Sequence, residues 1–150
     1  MELEKRRVDL DTLLCPMCNN VPESIDHAIL SCKNAKYVWA GIHKWWKINL
    51  PSGINLEELL GGSNYGNLSA KLSKIWQAIA WTTSYIIWKN RNQKVFNNDS
   101  WSSSKIICEV QVKTFEWISN RSRKIHKDWL QWLLDSTNLG FPAINNLDHG

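Results

Sequence analysis

Turn formers are scarce in this sequence, with seven glycines and four prolines in 150 residues. That scarcity argues against an all-β sandwich or barrel, which punctuates its strands with a turn about every 8 to 12 residues. Long apolar runs are missing too. The longest charge-free apolar stretch, Ile75 to Trp88, covers 14 residues and includes Gln77, Thr82, Thr83 and Ser84, short of the roughly 20 that span a bilayer. The opening MELEKRRVDLD is charged throughout and has no apolar core, so no secretory signal is read there. The expected setting is therefore intracellular, in the nucleus or cytoplasm, neither secreted nor membrane-bound. Phosphate-loop chemistry is absent as well: Gly61-Gly62 is not followed by the Gly-Lys-Ser/Thr that cradles a nucleotide. The four histidines, His27, His43, His126 and His149, have no nucleophile at a suggestive spacing, which disfavours a small-molecule enzyme.

What remains is an ordinary globular composition, 43% hydrophobic and 21% charged with a net charge of +4. Ten tryptophans dominate the aromatics. Helical periodicity dominates the pattern. Ala35, Val38, Trp39, Ile42, Trp45 and Trp46 recur at steps of three and four, with Ser31 or Asn34 as cap and Leu50-Pro51-Ser52-Gly53 as stop. Leu68, Leu72, Ile75, Trp76, Ile79, Thr83, Ile86 and Ile87 predict the strongest helix, running on to Phe96 and ending at Asn97-Asn98-Asp99-Ser100. A third helix carries Ile106, Val110, Thr114, Trp117 and Ile118 behind a cap at Ser102, Ser103 or Ser104. A further one carries Ile125, Trp129, Trp132 and Leu133. The fold class is mostly α, a small Cys3His zinc knuckle followed by amphipathic helices with no substantial sheet.

The knuckle is read from Cys15, Cys18, His27 and Cys32, spaced C-x2-C-x8-H-x4-C. In a reducing compartment close-set cysteines are metal ligands before they are disulfides. Three thiolates and an imidazole satisfy the tetrahedral preference of zinc and leave no open position for a water, so the predicted ion is single and structural. Pro16 presets the turn between the first pair, and Asn19 tolerates the left-handed conformation that follows it. The opposing reading is a set of thiols with a surface histidine. His27 and Cys32 belong to a short helix capped by Ser24. Five residues of α-helix give about 7.5 Å of rise and about 140° of rotation, which would not converge the two side chains, so this helix is expected to tighten or end before Cys32. Cys108 is read as a small buried hydrophobe, His43 as a surface group, and Trp39, Trp45 or Trp46, Trp76 and Trp117 as core. Trp81, Trp88 and Trp101 lie off the main stripes, candidates for stacking or an interface.

The stretch from Leu14 to Trp39, with Cys15-Pro16 and Cys18, Glu23-Ser24 and His27, then Cys32 and Trp39, resembles the zinc-binding domain of plant LINE-type (non-LTR) retrotransposon reverse transcriptases. Ile86-Ile87-Trp88-Lys89-Asn90-Arg91-Asn92 with Phe96 is similar to that family's I-W-K-x-R-N segment. The family's glycine after the first cysteines is Asn19 here. The resemblance implies a structural zinc module of an RNA-directed DNA polymerase, with RNA or DNA, in single-stranded form among others, and the remainder of the polyprotein as partners. It does not carry the polymerase activity over. Two-metal nucleotidyl transfer needs paired carboxylates, and no Asp-Asp pair occurs in these residues. On this reading 1–14 is a truncated lead-in, 15–48 the zinc module, 49–67 a loop or hinge, 68–136 a tryptophan-rich helical region and 137–150 a flexible tail.

Positive charge gathers downstream of the cysteines. The first 75 residues hold 9 basic and 8 acidic side chains and the second 75 hold 9 and 6. Lys89, Arg91 and Lys94 form one cluster and Arg121, Arg123, Lys124 and Lys127 another; both are candidate phosphate contacts, since such clusters attract nucleic acid backbones. Solvated helix faces explain the same clusters without a ligand. The leading expectation is a nucleic-acid-contacting, non-catalytic zinc module. The alternatives are a zinc-knuckle protein-interaction module and a truncated, non-functional copy.

Overall fold

The computed structural model describes residues 14–48, 53–61, 68–121 and 129–135, and of residues 121, 131, 134 and 135 the backbone alone. The lead-in through residue 13, positions 49–52 and 62–67 of the expected hinge, Arg123, Lys124, Lys127 and the 137–150 tail lie outside them. The described residues are mostly helical and include no strand, only an isolated antiparallel bridge between Leu14 and Pro22. No described helix is long and apolar enough to cross a membrane.

A π turn over His27–Ser31 leads into α1, Lys33–Trp46. Neither Ser31 nor Asn34 caps α1. Cys32 occupies the N-cap with no side-chain hydrogen bond, because its sulfur is turned toward the other cysteines. The helix stops at Trp46, ahead of the Pro51-Gly53 break, with Lys47 in the left-handed region at φ 57°. Residues 49–67 are not all loop: α2, Leu56–Leu60, lies within them. Its signal is local. Asn55 Oδ1 accepts from the Glu58 N–H at 2.7 Å while Glu58 Oε1 accepts from the Asn55 N–H at 3.1 Å, a reciprocal capping box that anchors the buried Leu59.

The longest helix, α3, spans Ala70–Asn97, capped by the Ser69 hydroxyl at the Leu72 N–H and closed by a left-handed Asn98. Its predicted stripe is buried, from Ile75 and Trp76 to Ile86 and Ile87, with Thr83 and Ser84 returning their hydroxyls to Ile79 and Ala80 carbonyls. Ser102 caps α4, Ser103–Arg121, which buries Ile106, Val110, Thr114 and Ile118 against α3 and α1. Trp117, expected in the core, stands at the rim, 37% exposed. Cys108 is exposed also, two residues from both Ile106 and Val110 and so on the far side of the helix from the buried stripe. α4 comes so close to α1 that a β-carbon at Gly41 would sit 2.4 Å from the Ile107 Cδ1 atom.

A short α5, Trp129–Asp135, closes the bundle. Trp132 is fully buried; its indole N–H donates to the Gln111 carbonyl, and its own carbonyl accepts from Trp45, both at 2.9 Å. A single core runs through all of this. Cys15, Cys32, Val38 and Trp46 share it with Ile79, Ile87, Val110 and Trp132, the apolar burial that drives folding.

Candidate metal centre

Cys15 opens a tight turn. Its carbonyl accepts from Asn19 N–H at 2.7 Å, its own N–H donates to Val21 at 2.8 Å, and Asn19 takes φ 57°. This turn points Cys15 and Cys18 to one side, and the Met17 N–H reaches Cys15 Sγ at 3.4 Å. Ser24 then caps the next segment as the sequence implies, its hydroxyl accepting from His27 N–H at 3.0 Å.

Between His27 and Cys32 the backbone does not tighten. It widens into a π turn and ends there, Cys32 N–H closing on the His27 carbonyl at 2.7 Å and Cys32 turning extended at ψ 140°. An i→i+5 turn puts the fifth residue over the first, where an α-helix would have rotated it away. The π turn is how the chain accommodates the x4 spacing between His27 and Cys32. The wall behind this turn is apolar, with Ala28, Ile29 and Leu30 all buried.

Cys15, Cys18, His27 and Cys32 thus bring their ligand atoms within 4.8 Å of one another. Cys15 and Cys32 sulfurs are 3.8 Å apart, and Cys18 Sγ lies 3.3 Å from His27 Nε2. A disulfide needs about 2.05 Å, and all four cysteines are free thiols. For a tetrahedral ion with bonds of about 2.3 Å to sulfur and about 2.0 Å to nitrogen, the ligand–ligand separations are roughly 3.8 Å and 3.5 Å. The four residues fit a metal ion.

The thiols differ in readiness to ionise. A backbone hydrogen bond from Asn20, helped by His27, brings Cys18 down to about 6. Burial pushes Cys32 up to about 11, against the opposing Asn34 N–H. At neutral pH an incoming ion would meet Cys18 as thiolate beside His27 and would have to displace a proton from Cys32. Binding of a metal ion here would therefore release protons.

The basic clusters lie differently. Arg91 is buried at 7% exposure; it pairs with Glu23 and covers the Trp88 ring at 4.9 Å. Lys89 is bridged to Glu109 at 2.7 Å. Lys94 is half-buried, and the side chain of Arg121 falls outside the described residues. Arg91 and Glu23 belong to the two segments that carry the resemblance, so those segments touch. His43, expected at the surface, sits between the rings of Trp39 and Trp76, 5.8 Å from each, and burial pushes it down to about 4. Trp76 reaches it from α3, a contact with no trace in the local sequence.

Sequence reasoning passed over a groove of about 600 Å³ between α3 and α4, lined by Trp81, Tyr85, Lys89, Glu109, Lys113 and Trp117. Trp81, at 56% exposure, and Tyr85, at 63%, continue along α3 to Trp88 and Phe96 as an exposed aromatic stripe. The off-stripe position of Trp81 and Trp88 was the available signal. No protein-family model, curated protein or solved structure matches the chain.

Proposed function

We propose that the chain is a structural zinc-binding, nucleic-acid-contacting module of the reverse-transcriptase type, with no catalysis of its own. The observation that carries this reading is the convergence of Cys15, Cys18, His27 and Cys32 within 4.8 Å. Three sulfurs and an imidazole brought this close together favour zinc among the biological divalent ions. Four protein ligands complete its coordination, so the ion holds the fold and activates no water. The resemblance of the Cys15–Trp39 stretch supports the same assignment and supplies the nucleic acid.

The groove along α3 is the surface offered to that partner. Trp81 and Tyr85 offer exposed rings for stacking on unpaired bases, and Lys113 lines the same groove for a phosphate. Elemental analysis of the purified chain should return one zinc per chain, and a chain that folds cooperatively without metal overturns the zinc assignment. Titration against single-stranded RNA at two salt concentrations should give binding that weakens with salt. Absent or salt-independent binding overturns the nucleic-acid role.

A second reading, a protein-docking module, is favoured by the α3 stripe itself. Trp81, Tyr85, Trp88 and Phe96 recur along one side of the helix, the pattern of a helix face that seats against a partner. Stable capture of a protein with no RNA affinity would select it.

A further inference from the structure

Trp81 lines two grooves at once. One is the groove between α3 and α4. The other, of about 530 Å³, lies where α2 and the turn ahead of His27 meet α3, and is lined by Ile25, Asp26, Leu56, Glu57, Leu60 and Trp81. Ile25 and Trp81 are 61% and 56% exposed, and Tyr85 stands one turn further along α3. Exposed apolar side chains gathered in one patch mark an interaction surface, and tryptophan is among the residues that most often anchor one.

Charge is segregated across Trp81. The α2 side carries Asp26 and Glu57 with no cation in its lining. Asp26 Oδ1 accepts from the Leu56 N–H at 2.9 Å, which fixes that carboxylate. Glu57 is exposed and has no ion pair among the described residues. The α4 side carries Lys89, Glu109 and Lys113. Lys89 and Glu109 neutralise each other at 2.7 Å, which leaves the exposed Lys113 as the open charge. The patch therefore has an acidic end, an aromatic middle and a basic end.

Such a surface is complementary to itself. A two-fold axis at Trp81 turns the acidic end of one copy onto the basic end of the other, twice per interface, as an isologous contact requires. A partner of one charge sign would satisfy one end and confront like charge at the other. A nucleic-acid strand meets the same obstacle, since Asp26 and Glu57 repel phosphate on the α2 side. We infer that this patch seats a second copy of the same chain, the two Trp81 rings near the axis and Glu57 of each copy facing the partner's Lys113. The inference rests on the protein-docking reading of the α3 stripe and names its partner. It also makes self-association and base stacking competitors for Trp81 and Tyr85.

Sedimentation equilibrium of the full chain, freed of nucleic acid by nuclease, reads the outcome. The mass should rise with concentration from one chain to two and no further, because a two-fold contact closes. Glu57→Lys and Lys113→Glu should each weaken self-association about tenfold or more, since each sets like charges opposite one another at both ends. Mixed in equal amounts, the two variants should dimerise again, because every facing pair is then of opposite sign. A fold defect would not be repaired by mixing. A wild type that stays one chain at every concentration overturns the inference, as do charge reversals without effect, a mixture that stays apart, or association that grows beyond two. Association seen only before nuclease treatment overturns it in favour of RNA. If either reversed chain lacks wild-type helical content, Trp81→Ala decides, and a dimer as tight as wild type overturns the inference. A monomeric wild type that holds a different protein overturns the inference alone; one that holds no protein removes the docking reading with it.

Discussion

The indole N–H of Trp39 donates to the carbonyl of Ile29 at 2.7 Å, which ties α1 back onto the π turn between His27 and Cys32. Both residues are buried. Trp46, about two turns further along the same face of α1, has an indole nitrogen that is buried with no partner among the described residues. The two tryptophans are matched in burial, and of the two only Trp39 has its indole N–H paired. Trp39→Phe should therefore cost more stability than Trp46→Phe, by about 1–3 kcal/mol, because it leaves the Ile29 carbonyl buried and unpaired. Denaturant unfolding of both variants in excess Zn2+ measures the difference, and equal losses would show that the bond contributes nothing.

Acid should act on His43. Burial holds its folded-state pKa near 4 against an ordinary value of 6.5. Between those values the unfolded chain binds a proton that the folded chain does not, so folding stability falls as pH drops from about 6.5 to about 4 and is unaffected above that window. The effect is on the order of 2–3 kcal/mol at its acid end. His43→Phe keeps a ring between Trp39 and Trp76 and removes the titration. Every other titratable group is common to both proteins, so the gap between the two stability curves isolates His43. Parallel curves would refute the assignment.

Trp132 is the most deeply buried of the described side chains of α5. It is fully buried, meets Trp45 and Phe115 at ring separations of 5.1 and 6.3 Å, and donates to Gln111. Trp132→Ala should destabilise the chain by about 3–5 kcal/mol, read as a lowered Tm and a loss of near-ultraviolet dichroism. A shift below about 1 kcal/mol would mean that α5 is not docked in solution.

Thiol counting separates the metal ligands from Cys108. Cys108 is exposed while Cys15 and Cys32 are buried. With metal bound, a chromogenic thiol reagent should titrate one cysteine rapidly, and after chelation all four. Four fast thiols before chelation would exclude a loaded site.

Much of this was legible in the chain itself. The α1, α3 and α4 stripes follow from apolar spacing, and the ligand quartet from C-x2-C-x8-H-x4-C. The rest was hidden for particular reasons. Five residues are too few for periodicity to reveal α2, although Asn55 and Glu58 spell its capping box. The x4 spacing signalled that an ordinary helix would fail between His27 and Cys32, but not that the solution was a wider turn. Arg91 looks solvated because its acidic partner stands 68 residues earlier. His43 looks exposed because Lys44 follows it, while the Trp76 that covers it lies on another helix. Local patterns report which face of a helix is apolar; they do not report what another segment brings to the polar one.

The continuity of the core also governs how far the metal centre can be separated from its surroundings. Cys15 and Cys32 are members of the same buried cluster as Ile79, Val110 and Trp132. A fragment cut in the 49–67 stretch would retain every ligand and shed the helices that complete that cluster. It would inherit the coordination number without the dryness. The same ion would then sit in a wetter, more competitive environment and exchange faster with solvent chelators. For an ion held by these four residues, the burial that α3, α4 and α5 complete would lengthen its residence time.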